Sequence, residues 1–168
     1  MDGDGWMRII LLAILLLGAA YCAASEISYA AMNKIRIKNY AENGDKRAAT
    51  AMYISNHFDQ VLTTLLISNN VTHISFGSLA ALISIQFWGP ESVKYTTIVT
   101  AVFVFLFSEM IPKSYGKANS EKFALAVAGS LRTLMKILSP FTFFFMSISR
   151  ILSKLFPENQ EPDITEEE

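Results

Sequence analysis

The stretch YTTIVTAVFVFLFSEMIPK, residues 95–113, decides the fold class, because its first 14 residues carry no charge and lead into the acidic Glu109. A carboxylate at the edge of the bilayer hydrocarbon is costly unless it meets a cation, a proton or a water-filled cavity. Glu109 is followed by a helix breaker, Pro112, and by Lys113. The combination predicts an ion site where a transmembrane helix is interrupted, with Glu109 as the charged ligand.

The composition places the chain among membrane proteins. Of its 168 residues, 52% are hydrophobic, and the mean hydropathy of +0.34 exceeds that of a soluble domain of this size. The single cysteine excludes an internal disulfide and a cysteine-based metal site. The sequence has no nucleophile-and-base arrangement, phosphate-binding loop or basic nucleic-acid patch. We therefore predict neither an enzyme nor a nucleic-acid partner.

Three stretches are long enough to cross a bilayer, whose hydrocarbon core of about 30 Å takes roughly 20 helical residues. They are residues 9–32, residues 61–88 and residues 95–111. The second contains no Asp, Glu, Lys or Arg, and the third is short but can borrow residues from Ser92 onward. We predict an all-α membrane protein with three transmembrane helices.

The basic residues set the orientation. Twelve of the 14 lysines and arginines lie between the first two spans or after the third, which leaves Arg8 and Lys94 on the other side. The positive-inside bias then places the N-terminus outside and the C-terminus in the cytoplasm of a multi-pass cell-membrane protein.

Two segments on the predicted cytoplasmic side are expected to lie along the membrane as juxtamembrane amphipathic helices. Residues 34–58 have a helical pattern split by a turn at Asn43-Gly44-Asp45. Residues 120–156 include a fourth apolar stretch, 137–149, which is only 13 residues long and contains Pro140. Segments of that length more often lie at the interface than cross it.

The domain boundaries follow from these segments. Residues 1–156 form the predicted transmembrane ion-transport domain. Residues 157–168 are acidic and almost free of apolar side chains, so we expect a disordered linker and a chain cut from a longer protein.

A polar cluster interrupts the second predicted span. Six of the eight residues from 68 to 75 are polar, and Asn69 and His73 share one helix face by their four-residue spacing. Such residues often serve only to hold neighbouring helices together through hydrogen bonds. With acidic residues in both neighbouring spans, a solvated polar pocket is the better interpretation, in which Asn69 or Asn70 supports Glu109.

A hard cation such as Mg²⁺ prefers oxygen ligands from carboxylates, amides, hydroxyls and backbone carbonyls. The predicted side-chain ligands are Glu109, Asn69 or Asn70, and Ser25. Pro112 and Gly116 are residue types expected where a helix unwinds and frees its carbonyls. His73 is an unusual neighbour for Mg²⁺, because imidazole suits transition metals better.

Lysine pairing is the alternative for the two intramembrane acids. Glu109 could pair with Lys113 at i, i+4, a contact that contributes roughly 0.2–0.5 kcal/mol when exposed. Glu26 could pair with Lys34, although eight residues separate them, or with Lys113. We assign Glu26, Lys113 and Pro112 supporting roles at the site.

Three motifs, in this order, resemble the transmembrane domain of the CorC/CNNM family of magnesium transporters over roughly residues 19–150. Ala23-Ala24-Ser25-Glu26-Ile27-Ser28 resembles the family's Ser-Gly-Ser-Glu-Thr-Ala stretch. Ser68-Asn69-Asn70-Val71-Thr72-His73 resembles Gly-Asn-Asn-Leu-Val-Asn, and Ser108-Glu109-Met110-Ile111-Pro112-Lys113 resembles Gly-Glu-Ile-x-Pro-Lys. Each motif is weak alone, so the resemblance depends on all three together with the basic connector that ends in Asp59.

The resemblance implies a homodimer in the lipid bilayer, with three transmembrane helices per chain and a cytoplasmic helical belt. It implies export of Mg²⁺, coupled to Na⁺ entry, through an inward-facing acidic cavity. A cytoplasmic CBS-pair regulatory region that binds ATP is then expected after residue 168. The implied ion ligands are Ser25, an asparagine of the second motif, Glu109 and carbonyls near Gly116.

Two positions depart from the family pattern. Ala23 stands where the family has a serine, so only its carbonyl could bind an ion, and His73 stands where the family has an asparagine. A pocket with fewer oxygen ligands also suits an organic cation, and some members of the wider family are linked to polyamine export. We therefore keep three hypotheses: export of Mg²⁺ or a related divalent cation, export of polyamines or other cations through the same cavity, and a membrane anchor or assembly module that transports nothing.

Overall fold

The computed structural model describes residues 3–155, with side chains for residues 5–149 and 151, and this part of the chain is helical apart from short turns. Its helices are α1 (Gly3–Ala31), α2 (Lys34–Glu42), α3 (Lys46–Asn56), α4 (Phe58–Trp88), α5 (Val93–Val104), α6 (Ile111–Ala118) and α7 (Ser120–Leu155). A 3₁₀ turn, Pro90–Ser92, precedes α5, and a π-helical segment, Phe105–Met110, joins α5 to α6. The all-α prediction is confirmed. The predicted linker, 157–168, lies outside the described residues.

Among the described residues, four helical stretches are long and apolar enough to cross a membrane. They are Gly5–Ala31, Phe58–Trp88, Pro90–Ala118 and Ser120–Ser149. The first three contain the predicted spans, apart from the last residue of the first one. The fourth contains the segment that we predicted to lie at the interface, so three crossings remain a prediction.

The connector between the first two long helices folds as its sequence indicates. Asn33 caps α2 by accepting a hydrogen bond from the Arg36 amide at 3.1 Å, and Asp45 caps α3 by accepting one from the Arg47 amide at 2.8 Å. Gly44, between the two helices, has a φ of 92°, which favours glycine. The predicted turn at Asn43-Gly44-Asp45 is confirmed. The position of these helices along the membrane stays a prediction.

The main core lies where the end of α1 and the start of α4 meet α2, α3 and α7. Ile37, Ile54 and Leu131 are fully buried there. The Tyr29 hydroxyl donates to the Ala124 carbonyl at 3.0 Å, which ties α7 to α1. Burial of large apolar side chains from five helices stabilises this end of the molecule most strongly.

Helix α7 meets the start of α4 over a long stretch of its own length. One cavity brings Gln60 together with Met135 to Ser139, and a second groove brings residues 59–63 together with Phe145 to Ser149. The α7 stretch from Met135 to Ser149 is about 20 Å long at 1.5 Å per residue, whereas residues 59–63 extend over only about 6 Å. A helix running alongside α4 would instead border successive turns of it.

The third hydrophobic stretch does not unwind at Pro112 and Gly116, and that prediction was wrong. Helix α6 continues through both residues, and the irregularity lies one turn earlier, where the Ile111 amide donates to the Leu106 carbonyl in π-helical fashion. A proline has no N–H, and its ring crowds the carbonyl four residues earlier, which is that of Ser108. The wider π turn accommodates the proline without ending the helix.

Candidate cation site between α4 and the π-helical segment

Glu109 lies in the π-helical segment and faces the polar stretch of α4. Its Oε1 is 3.7 Å from Nδ1 of His73, and the Glu109 side chain is 33% exposed. The carboxylate is therefore only partly open to solvent. The predicted meeting of the acid with the amide-rich second span is present in the structure.

Hydrogen bonds at Ser108 decide which imidazole nitrogen carries a proton. The buried Ser108 hydroxyl donates to the Val104 carbonyl at 2.7 Å, so its single hydrogen is used. With that hydrogen on the Val104 carbonyl, His73 Nε2, which lies 3.0 Å from the same oxygen, is the donor in that contact. In the neutral ring, Nδ1 is then an acceptor. The Glu109 carboxylate lies 3.7 Å away, so a proton on Nδ1 would form an ion pair with it, and in the neutral ring a positive species between the two atoms would satisfy both.

Asn69 adds a third acceptor on the same face of α4. It lies one helical turn before His73, and its Oδ1 is buried without a hydrogen-bond partner in the described part of the chain. A buried polar atom without a partner is costly and is rare in native structures. The carbonyl oxygen of Asn69 is thus available to a ligand.

Asn70 also lies within one helical turn of His73, three residues before it. The side chain of Asn70 is exposed, as is that of Val71. Of the two asparagines left open by the sequence, Asn69 is the one whose carbonyl oxygen is buried.

The residues of the first motif pack between helices. Ser25 and Ala23 are buried in α1, and the Ser25 hydroxyl donates to the Tyr21 carbonyl at 2.7 Å. Gly116 lies against the same helix, where its carbonyl accepts a hydrogen bond from Ser28 at 3.0 Å. A Cβ at position 116 would be 2.6 Å from the Ala24 carbonyl oxygen. Gly116 therefore allows the close approach of α6 to α1, and its carbonyl already has a partner.

Lys113 pairs with Glu26 and leaves Glu109 without a lysine. The Lys113 ammonium is 3.4 Å from Glu26 Oε2, with side-chain exposures of 40% and 30%. This confirms the Glu26–Lys113 alternative, while the described residues show no ion pair between Glu109 and Lys113. Because the ion pair joins α6 to α1, both residues act on the packing beside the candidate site.

A carboxylate of the π-helical segment and an imidazole of α4 therefore meet, and Asn69 lies one turn before that imidazole. Among the described residues, no group of three or more His, Cys, Asp or Glu side chains could hold a metal ion. A hydrated hard cation or a cation that carries N–H donors fits this set better than a tightly caged transition metal. Ser108 is the site residue that sequence reasoning missed. A hydroxyl directly before the acid, within an apolar run, was the available signal.

Comparison with known proteins agrees with this architecture. The family profile described as the Cyclin M transmembrane N-terminal domain, CNNM, matches residues 10–168. The chain is 29% identical over 146 residues to a UPF0053 protein of Haemophilus influenzae, covering 87% of this chain and 35% of that protein. It is 26% identical over 137 residues to the UPF0053 inner membrane protein YfjD of Escherichia coli, covering 82% and 32%.

A third similar protein is named for an activity. The polyamine export protein of Haemophilus influenzae is 26% identical over 161 residues, covering 88% of this chain and 37% of that protein. The chain thus spans about a third of the length of these curated relatives. A multi-pass helical architecture and a family match over nearly the whole sequence lead to one conclusion: the chain belongs to the CNNM family of membrane proteins.

Proposed function

We propose that this chain is the transmembrane part of a cation transporter and that its cargo passes the cluster formed by Glu109, His73 and Asn69. One observation carries the proposal. The Glu109 carboxylate lies 3.7 Å from the His73 imidazole of α4, while Lys113, four residues further along the chain, pairs with Glu26. A partly buried carboxylate among acceptors is stabilised by a positive ligand.

The cargo that we propose is Mg²⁺ or a related divalent cation, and we propose that its export is coupled to Na⁺ entry. Mg²⁺ usually keeps several of its waters and binds through one or two carboxylates. A single carboxylate and one amide oxygen therefore suffice for a transient site. Membership of the CNNM family supports this choice. Ser25 and the carbonyls near Ala23 and Gly116 would then serve the packing of α1 and α6 more than the ion.

A polyamine is the second candidate cargo, and a specific observation favours it. His73 Nδ1 and Asn69 Oδ1 can each accept an N–H hydrogen bond from an ammonium group, which Glu109 would neutralise. Relatives from two bacterial species are named polyamine export protein. The two candidate cargoes differ in the side chain that suits them at position 73. The nitrogen acceptor of His73 suits an ammonium group, whereas the amide oxygen of an asparagine there would suit Mg²⁺.

We further propose three crossings, with the N-terminus outside, a C-terminus in the cytoplasm and α7 along the cytoplasmic face. The contact of a long stretch of α7 with one short part of α4 and the segregation of basic residues support this arrangement. A homodimer and a regulatory CBS-pair region beyond residue 168 complete the proposal.

The decisive experiment follows cation efflux from proteoliposomes that contain the protein, in parallel assays for Mg²⁺ and for spermidine. Glu109→Gln should abolish movement of the true cargo, because the neutral amide cannot balance a positive charge. Glu91→Gln is the matched control, since Glu91 is an exposed acid paired with Lys94 at 3.2 Å. If Glu109→Gln transports as well as Glu91→Gln, the proposed site is wrong.

His73→Asn separates the two cargoes. For Mg²⁺ we expect the added amide oxygen to raise affinity, measured by ion binding to the purified protein. For spermidine we expect weaker efflux. If neither cation moves in the unaltered protein and Glu109→Gln only weakens dimerisation, the membrane-anchor hypothesis replaces both.

A further inference from the structure

A second polar cavity lies away from the cation site, between α3, the start of α4 and α7. Its volume is about 660 Å³. Its lining side chains and backbone come from Tyr53, Gln60, Gly129, Arg132, Thr133, Met135, Lys136 and Ser139. No acidic residue is among them, so the cavity carries two positive charges and several neutral hydrogen-bond donors.

The two basic side chains are held close together without an acidic partner. Arg132 and Lys136 are one turn apart on α7 and share a face. Neither forms an ion pair with any described acid, whereas Arg36 pairs with Glu121 at 3.0 Å. The Arg132 guanidinium lies 4.7 Å from the centre of the Tyr53 ring, which stacks against it and restricts its orientation. Two neighbouring cations at the rim of a cavity, one of them oriented by an aromatic ring, attract an anion.

The cavity borders bare apolar surface of the same helix. Phe143 lies four residues after Ser139 and seven after Lys136, so it continues the same face, and it is 70% exposed. The neighbouring strip of α7 exposes Ile137, Phe141 and Phe144. Along this part of α7, charged and hydroxyl side chains are thus followed within two turns by aromatic and aliphatic ones. A ligand that fits both parts has an anionic head and an apolar body.

We propose that this cavity binds the phosphate of an anionic phospholipid headgroup, with Arg132 and Lys136 on the phosphate and an acyl chain along Phe143. The hydroxyl of Ser139 and the amide of Gln60 supply hydrogen bonds to a glycerol headgroup, and the Thr133 hydroxyl, which donates to the Gly129 carbonyl at 3.1 Å, can accept one. A soluble phosphate compound shares the phosphate chemistry but leaves the apolar strip uncovered. The site is independent of the cargo that passes Glu109.

Native mass spectrometry of the detergent-solubilised protein tests the proposal. The protein is mixed with equal amounts of phosphatidylglycerol and phosphatidylcholine, and the lipids retained are counted. We expect phosphatidylglycerol to be retained preferentially. Arg132→Gln with Lys136→Gln should weaken this retention about thirtyfold, since each basic residue near an anionic lipid contributes about a fivefold gain.

The matched control, Arg47→Gln with Lys117→Gln, removes the same charges from exposed positions outside the cavity and should change retention less than about threefold. The charge-preserving pair Arg132→Lys with Lys136→Arg should keep the preference and shows that the fold tolerates change there. Equal losses in the cavity and control variants would overturn the proposal. Equal retention of the two lipids by the unaltered protein would also overturn the proposal. This result does not depend on whether the charge-removing variant folds.

Glycerol 3-phosphate provides the second arm. If the ligand is a lipid, this soluble compound should not displace phosphatidylglycerol at equal concentration, because it lacks the apolar chain. Equal competition would overturn the lipid assignment and identify a site for soluble phosphates.

Discussion

The contact between Gly116 and α1 allows a prediction with a worked magnitude. In Gly116→Ala the new Cβ would lie 2.6 Å from the Ala24 carbonyl oxygen and 2.9 Å from Ser28 Oγ, whereas ordinary van der Waals contact begins at 3.4 Å. Helices α1 and α6 must therefore separate by about 0.8 Å. The nearest atom belongs to the backbone, so trimming side chains on α1 cannot relieve the clash. Overpacking of this kind costs about 1–3 kcal/mol.

Thermal unfolding of the purified protein in detergent measures this cost. A loss of about 2 kcal/mol lowers the midpoint by about 4–8 °C for a chain of this size. Gly77→Ala is the matched control, because Gly77 lies within α4 and a Cβ there would meet no atom within 4 Å. We expect Gly77→Ala to be neutral or stabilising, since alanine favours helix by up to about 1 kcal/mol. An unchanged midpoint in Gly116→Ala would refute the close packing of α6 on α1.

Three further predictions concern the neighbours of Glu109. Ser108→Ala removes the hydrogen-bond partner of His73 Nε2, so stability should fall by about 1–3 kcal/mol and cation affinity should fall with it, measured by thermal unfolding and ion binding. Lys113→Gln breaks a half-exposed ion pair and should lower the free energy of unfolding by less than about 1 kcal/mol in chemical denaturation; a larger loss would show that the pair is better shielded than its exposure indicates. Pro112→Ala restores a helix N–H and lets the π turn relax, which would rotate Glu109 by about 100°. We expect unchanged or higher thermal stability with reduced cation efflux, and full efflux would show that the wide turn is dispensable.

Much of this fold could be predicted because its signals are local. Asn43-Gly44-Asp45 specifies a turn between two helices through one glycine and one capping acid, and both act within a few residues. The long apolar runs specify the long helices by length alone. The shared face of Asn69 and His73 follows from helical periodicity, and the structure places His73 beside Glu109.

The π-helical segment and the contact of Gly116 could not be read from the chain. Proline and glycine close to an acid are compatible with an unwound helix, a widened turn or a close helix crossing, and only the position of α1 decides among these. Gly116 is buried under Ala24 and Ser28, so it has a packing role that depends on residues about 90 positions away. Pro140 is a second example, because α7 continues through it. A kink or a break is the local expectation there.

The ion pair between Lys113 and Glu26 and the close contact of Gly116 with α1 both lie just after the π-helical segment, Phe105–Met110. They anchor α6 to α1, whereas none of the 12 residues of α5 is buried. Helix α5 is instead tied to α4, where the Thr96 hydroxyl donates to the Ser84 hydroxyl at 2.6 Å, so residues 105–110 join two halves that are anchored to different helices. Glu109 lies in this junction, so a shift of one half relative to the other would change its distance to His73.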